Sequence, residues 1–218
     1  MDNRFHQEQE QLRLIVLKMA ALTERIVEKA VRALFDRSLE MSAEVIRDDP
    51  EINLLEMQID RLVLKLLALG QPMACDLRFI IGCMRIAVDL ERVGDQAVSM
   101  AHRARYLTNR PPLPPIPAMQ QLAETAMDML RMALDAFINH NVERARDVCQ
   151  MDDRADRLNV QALQDLMDFM VNDTPAIKRA METIIVARCL ERVADHATNI
   201  AETVFFVAEG VNIKHQFP

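Results

Sequence analysis

A stretch of thirteen residues, Ile86-Ala-Val-Asp-Leu-Glu-Arg-Val-Gly-Asp-Gln-Ala-Val98, recurs one hundred positions later as Val186-Ala-Arg-Cys-Leu-Glu-Arg-Val-Ala-Asp-His-Ala-Thr198. Seven of the thirteen positions are identical, where chance would give about one. A chain that repeats itself in this way is built from two copies of one structural unit. The shared pattern sets two acids four residues apart, which places each pair on one face of a helix.

The spacing of apolar residues predicts helices along almost the whole chain. Apolar residues recur every three or four positions, and the alternation typical of strands is nearly absent. The pattern breaks near Arg37-Ser38, Gly70-Gln-Pro72, His140-Asn141 and Asp173-Thr-Pro175, which leaves three long segments in each half. The sequence therefore predicts an all-α fold of two tandem three-helix bundles, with six long antiparallel helices related by the internal repeat.

A proline-rich segment separates the two copies. Arg110-Pro-Pro-Leu-Pro-Pro-Ile-Pro117 holds five of the nine prolines and lies at the middle of the chain. No helix can pass through such a segment. We predict a first bundle at 1–109, a linker at 110–117 and a second bundle at 118–212; a ligand for an SH3-like domain is the weaker interpretation of the prolines.

Composition excludes several classes of function. The four glycines are scattered over 218 residues, so no Gly-rich loop is available to hold a phosphate or a dinucleotide. A net charge of −7 argues against general nucleic-acid binding. The polar start has no secretory signal, and no apolar run approaches the roughly twenty residues that span a bilayer. The four cysteines, Cys75, Cys83, Cys149 and Cys189, form no CxxC pair and lie in apolar helical stretches, which predicts buried, reduced thiols and a cytoplasmic protein.

The repeated acids differ from the other carboxylates in their place on the helix. Glu91 and Asp95 interrupt a row that is otherwise largely apolar, beside a stripe of small residues that must pack inward. Carboxylates so close to a core are costly unless a cation or hydrogen-bond donors compensate them. Glu191 and Asp195 repeat the arrangement in the second copy.

A second pair of polar residues lies on the preceding helix of each half. Asp49 and Asn53 precede the first turn, and Asp152 and Asp156 precede the second. Each pair lies about as many residues before its turn as the repeated acids lie after it. In an antiparallel hairpin, equal distances from the turn lie opposite one another. Four oxygen-bearing side chains are therefore expected to converge in each half. Such a set of oxygen ligands suits Mg²⁺, Mn²⁺, Ca²⁺ or iron better than a structural zinc.

Neighbouring residues offer a plainer interpretation of the acids. Arg92 and Arg192 lie inside the two motifs, so the carboxylates could be partners in inter-helix ion pairs worth little each. Asp49 precedes Pro50 and could be an N-cap whose carboxylate binds backbone amides.

Two histidines lie near the acidic rows. His102 continues the row of the first copy where the second copy has Glu202, and it is either a ligand or a surface histidine. His196 points about 100° away from Asp195 on the helix and is the less favoured ligand.

Three stretches resemble the PhoU family of phosphate-uptake regulators: Gln71-Pro-Met-Ala-Cys-Asp-Leu-Arg78, Asp89-Leu-Glu-Arg-Val-Gly-Asp95 and Leu190-Glu-Arg-Val-Ala-Asp-His-Ala-Thr-Asn-Ile-Ala-Glu202. The resemblance runs through both halves. It implies a cytoplasmic, often homodimeric protein that represses phosphate-starvation signalling and restrains phosphate import. Its partners would be the ATPase of a Pst-type ABC phosphate importer and a membrane sensor histidine kinase, so it would meet the membrane only through them.

The same resemblance implies metal ligands, because the (E/D)xxxD motifs of the family bind metal ions or multinuclear metal clusters. The candidate ligands are Glu91, Asp95, Glu191, Asp195, Asp152, Asp156, Asp49, Asn53, Asn199, Glu202 and His102. The first copy has Asn53 in place of an acid, and Ser99 and His102 in place of Asn199 and Glu202. We therefore expect the first site to carry less negative charge and to bind cations more weakly.

These observations favour a metal-binding adaptor that is not an enzyme. The bound ion would be divalent or iron, with magnesium, manganese, iron and zinc as candidates. A di-iron carboxylate enzyme would need Glu-x-x-His, and Glu91 and Glu191 are followed three residues later by Gly94 and Ala194. A helical scaffold without a bound ion is the remaining alternative and ranks above the enzyme.

Overall fold

The helices predicted from the sequence are confirmed. The computed structural model describes residues 2–70 and 72–213, and within these ranges it contains six α-helices, a short 3₁₀ turn at Thr174–Ala176 and no strand. The helices are α1 (Asp2–Phe35), α2 (Leu39–Gly70), α3 (Ala74–Thr108), α4 (Pro117–Asn139), α5 (Val142–Asn172) and α6 (Ile177–Glu209). The breaks expected at Arg37-Ser38, His140-Asn141 and Asp173-Thr-Pro175 fall between α-helices. At the break expected at Gly70-Gln-Pro72, α2 ends with Gly70, and Gln71 lies outside the described residues.

Local capping explains where several helices begin and end. Ser38 Oγ accepts a hydrogen bond from the backbone N–H of Met41 at 3.2 Å and so caps the start of α2. Asn141 Oδ1 accepts from the N–H of Arg144 at 3.0 Å and caps α5. Between α4 and α5, His140 takes the left-handed conformation with φ 50° and closes α4.

Pro50 lies inside α2, which runs unbroken from Leu39 to Gly70. Asp49 is therefore not an N-cap, and that interpretation of its carboxylate is wrong. The Asp49 side chain instead faces α3, where the position of a Cβ added to Gly94 would lie 3.3 Å from Asp49 Oδ1.

Each half is a three-helix bundle, as predicted. α1, α2 and α3 pack on one another, and so do α4, α5 and α6. The apolar stripes face inward, with side chains such as Leu12, Ile26, Leu122 and Met129 fully buried. Three of the cysteines are buried as predicted, but the prediction is wrong for Cys75, which is exposed in the first turn of α3. In the described part of the chain no helix combines the length and the apolar character needed to cross a membrane.

The two bundles meet mainly where α3 packs antiparallel on α6. Arg103 Nη1 lies 3.1 Å from Glu182 Oε2 at one end of this seam, and Arg78 Nε donates to the Val207 carbonyl at 3.4 Å at the other. A Cβ at Gly82 would overlap the Val207 side chain, so glycine permits the close approach of the helices. The seam, together with contacts between α1 and α4, joins the halves into one continuous cluster of buried side chains.

The proline-rich linker is held by two arginines. Arg37 Nη2 donates to the carbonyl of Arg110, and Arg179 Nη1 donates to the carbonyl of Pro111 at 2.9 Å. α4 begins at Pro117, so the last residue assigned to the linker is already helical. The division of the chain into separate domains stays a prediction, since the bundles share one core.

Candidate metal site

Three carboxylates of the second half converge between α5 and α6. Asp156, Glu191 and Asp195, here called the acidic triad, each offer an oxygen that lies within 4.8 Å of the other two. Oxygen ligands at about 2.0 to 2.6 Å from one Mg²⁺ or Ca²⁺ ion lie at most about 5 Å apart, so the spacing fits a single ion. Asp156 and Asp195 are exposed and Glu191 is half-buried, which leaves the triad open to ions from solvent.

The crowding of these acids raises their pKa values. The pKa of Asp195 is raised to about 6, first by loss of hydration and then by the negative charges of Glu191, Asp152 and Asp156. Loss of hydration also raises the pKa of Glu191. Asp152 adds a fourth carboxylate nearby, which accepts a hydrogen bond from Thr198 Oγ1 at 3.0 Å. Acids held together against their mutual repulsion are an arrangement that a cation would stabilise.

Arginine side chains do not neutralise the acidic triad through ion pairs in the described part of the chain. Within residues 2–70 and 72–213, no arginine or lysine forms an ion pair with Asp156, Glu191 or Asp195. Arg188 and Arg192 lower the pKa of Glu191 only through space. Ion pairing therefore does not account for the second set of acids.

The corresponding acids of the first half have an arginine against them. We call Asp49, Asn53, Glu91 and Asp95 the first cluster. Arg92 Nε lies 3.5 Å from Glu91 Oε2, and Arg92 Nη1 lies 3.6 Å from Asp95 Oδ2. Asp49 Oδ1 and Asn53 Oδ1 are buried and find no hydrogen-bond partner among the described residues. Burial raises the pKa of Asp49 and of Glu91. The first cluster therefore contains buried oxygens without hydrogen bonds, together with the positively charged side chain of Arg92.

One acid occupies a different position on the corresponding helix of each half, and the sequence analysis did not identify this difference. Asn53 corresponds to Asp156, and three residues further on Glu56 corresponds to Asn159. Burial and then the charge of Glu91 raise the pKa of Glu56, which places Glu56 beside the first cluster. The charge deficit expected from Asn53 is therefore offset. The sequence does contain a signal for this difference: Asn53-Leu-Leu-Glu56 has the amide first and the acid second, whereas Asp156-Arg-Leu-Asn159 has the acid first and the amide second.

Asn199 makes its contact on the seam between the repeats instead of with the acidic triad. Its Nδ2 donates to Asp89 Oδ1 at 3.2 Å, and His196 Nδ1 lies 2.9 Å from the same oxygen. The side chains of Asp89 and His196 are each only 16% exposed. The sequence missed this group because its members come from different repeats and meet only when α3 packs on α6.

The last two candidates are not among the carboxylates whose oxygens lie within 4.8 Å of one another. Glu202 is half-buried near Cys149, whose pKa is raised to about 12 by burial and then by the charges of Glu202 and Asp152. His102 is exposed on α3. Roles for Glu202 and His102 as ligands stay predictions.

Comparison with known proteins matches nearly the whole chain. The family model described as the PhoU domain matches residues 16–104 and again residues 119–204. The phosphate-specific transport system accessory protein PhoU homolog of Aquifex aeolicus is 39% identical over 213 residues, which cover 98% of this chain and 96% of that protein.

Two solved structures share the fold. The crystal structure of PhoU from Pseudomonas aeruginosa has a TM-score of 0.92 and 37% identity, and covers 95% of this chain and 100% of that one. The phosphate transport system regulatory protein PhoU from Streptococcus pneumoniae has a TM-score of 0.87 and 27% identity, with 95% and 98% covered.

Proposed function

This chain belongs to the PhoU family, and we propose that it is a negative regulator of phosphate uptake and of phosphate-starvation signalling. Its relatives are named as accessory or regulatory proteins of phosphate transport, which supports a role in regulating that transport. In the full proposal it is a cytoplasmic, metal-binding adaptor that docks on the ATPase of a Pst-type phosphate importer and on a membrane sensor histidine kinase, as a homodimer.

The acidic triad is the observation that supports metal binding. Asp156, Glu191 and Asp195 would hold the ion, with Asp152 held nearby by its hydrogen bond to Thr198. A donor set made only of oxygens suits Mg²⁺, Mn²⁺, Ca²⁺ or iron better than zinc. When bound, the ion would supply the positive charge that offsets the crowded carboxylates of α5 and α6.

An adaptor is favoured over an enzyme. The acidic triad contains no histidine, and the position three residues after Glu191 is Ala194, whereas di-iron carboxylate enzymes place a histidine there. The names of the relatives also support an accessory protein.

Deletion of the gene tests the regulatory role. We expect phosphate-starvation genes to be expressed in phosphate-rich medium when the protein is absent, and to be repressed again when it is restored. Expression that stays low in the deletion strain would refute the proposal.

Elemental analysis of the purified protein tests the metal separately. We expect the Glu191→Gln/Asp195→Asn variant to lose the bound ion. Glu28→Gln/Asp168→Asn makes the same change in charge at exposed positions of α1 and α5 and should keep it. Equal metal content in parent and both variants would exclude the acidic triad, and no metal in any of them would favour the scaffold.

A further inference from the structure

The outward face of α5 carries large apolar side chains at coiled-coil spacing. Val160, Met167 and Val171 are 54%, 48% and 83% exposed. Together with Gln164 they form a straight line along the helix, here called the outer stripe of α5, and such a line is typical of a face that packs on a second helix. Among the described residues α5 packs only on α4, α6 and the short turn Thr174–Ala176, so the outer stripe has no partner within the described chain.

The same stripe occurs on α2, the corresponding helix of the first half. Met57 corresponds to Val160 and Leu64 to Met167, and Met57 and Leu64 are 45% and 67% exposed. The core of a single bundle does not require apolar side chains on its outer surface. Their occurrence at equivalent places in both repeats therefore indicates a contact outside the chain.

Charged side chains beside the outer stripe make α5 complementary to an antiparallel copy of itself. Arg154 and Asp168 are exposed and lie two heptads apart, about 21 Å along one side of the helix. An antiparallel copy centred near Gln161 brings each Arg154 opposite the Asp168 of the other copy, and Val160 beside Gln164. Neither Arg154 nor Asp168 forms an ion pair with any residue in the described part of the chain, so both charges are available to a second copy.

The equivalent positions of α2 carry the opposite charges. Glu51 corresponds to Arg154 and Lys65 to Asp168, so α5 laid antiparallel on α2 of a second copy would set like charges against each other. Both α2 charges are also paired inside the chain, since Lys18 Nζ lies 2.7 Å from Glu51 Oε1 and Lys65 makes a contact of the same length. Charge therefore favours packing of α5 on α5 over the other pairings.

We propose that the outer stripe of α5 binds a second copy of this chain through antiparallel packing of α5 on α5 around a twofold axis. The inference rests on the homodimer of the proposed function and names the surface that forms it. The contact borders the proposed cation site, because Asp156 of the acidic triad precedes Val160 by about one turn of α5.

Sedimentation equilibrium of the full-length protein over a range of concentrations tests the surface. We expect the parent to reach a mass of twice 24.9 kDa. Val160→Glu should weaken the dimer by at least about tenfold, because it places a charge at the centre of the contact. Met57→Glu introduces the same side chain at the corresponding exposed position of α2 and should leave the dimer unchanged.

Exchange of the two charges tests the antiparallel arrangement. Arg154→Asp and Asp168→Arg should each weaken the dimer by about tenfold, because each sets like charges opposite one another twice. The double variant Arg154→Asp/Asp168→Arg should regain the affinity of the parent, and a mixture of the two single variants should form heterodimers, which misfolding cannot imitate. Glu28→Arg reverses an exposed acid of α1 and should have no effect.

The outcomes separate the surface from the homodimer itself. A parent dimer that persists equally in Val160→Glu and in both single charge variants would overturn the assignment of α5 and leave the homodimer to another surface. A parent that stays monomeric up to about 100 µM would overturn both and leave the outer stripe to a helix of another protein. Failure of the double variant to recover would exclude the antiparallel pairing of Arg154 with Asp168.

Discussion

The acidic triad and the first cluster come from the same repeated motif but have different neighbours. Arg92 lies against Glu91 and Asp95 in the first half, whereas the corresponding Arg192 forms no ion pair with the triad in the described chain. The total charge hardly differs, because Glu56 offsets Asn53. The position of one arginine, more than the number of acids, therefore distinguishes the two proposed cation sites.

The largest expected effect follows from removing acids in one half at a time. Mn²⁺ at about one hundred times its Kd should stabilise the parent by about 2.7 kcal/mol and raise Tm by about 5 to 10 °C. Glu191→Gln/Asp195→Asn should lose most of this increase, and Glu91→Gln/Asp95→Asn should lose less. Thermal melts followed by circular dichroism give both values. A greater loss from the first-half variant would reverse the comparison.

Removing the arginine should make the two halves more alike. Arg92→Gln should raise the cation affinity of the first cluster by about fivefold, the effect of an exposed ion pair worth about 1 kcal/mol. Arg192→Gln changes the charge equally and should have a smaller effect, since Arg192 has no close contact with the acids. Mn²⁺ titration followed by electron paramagnetic resonance measures both variants, and identical effects would show that overall charge is sufficient.

Proton uptake by the acidic triad should make the metal-free protein more stable in mild acid. The pKa of Asp195 is raised from its ordinary value of 3.8 to about 6 in the folded state, so the folded protein takes up a proton that the unfolded chain takes up only at lower pH. This carboxyl therefore destabilises the fold at pH 7, and the penalty shrinks as pH falls below about 6 and is gone only below the unfolded pKa of 3.8. Because Asp195 is exposed, we expect about 1 kcal/mol.

Urea unfolding of the parent and of Asp195→Asn at pH 7 and pH 5 measures this contribution. At pH 7 the variant should be the more stable of the two, and the difference should shrink at pH 5. A difference that does not change with pH would mean that the Asp195 carboxyl is not crowded in the folded protein.

The smallest effect is expected from moving one acid along α2. Asn53→Asp with Glu56→Asn gives the first half the arrangement of Asp156 and Asn159 and leaves the net charge unchanged. Cation affinity should rise by less than about threefold, since only the direction of one carboxylate changes. Isothermal titration with Mn²⁺ is sensitive enough to check this, and a much larger rise would show that the placement of this acid matters more than Arg92.

The sequence was sufficient to predict the helices and the convergence of α5 with α6. Helix ends at Gly70 and Asn172 follow from local turn chemistry, and the equal spacing of Asp156 and Glu191 from the turn sets their register. Both features depend on residues close in sequence or related by the hairpin.

Features that depend on packing between different elements could not be predicted in the same way. Arg92 and Arg192 lie in the same Leu-Glu-Arg-Val context, so local sequence does not determine which of them turns towards the acids. The contact of Asp89 with His196 requires α3 to pack on α6, and helical periodicity does not specify that pairing. His196 therefore ranked low as long as its own helix alone was considered.

Anomalous diffraction from crystals of the full chain grown with Mn²⁺ tests most directly whether the acidic triad is the stronger cation site. We predict a manganese peak among the carboxylate oxygens of Asp156, Glu191 and Asp195 that is higher than any peak at the first cluster. A map without a peak at the triad, or with its only peak beside Glu91 and Asp95, would contradict the account.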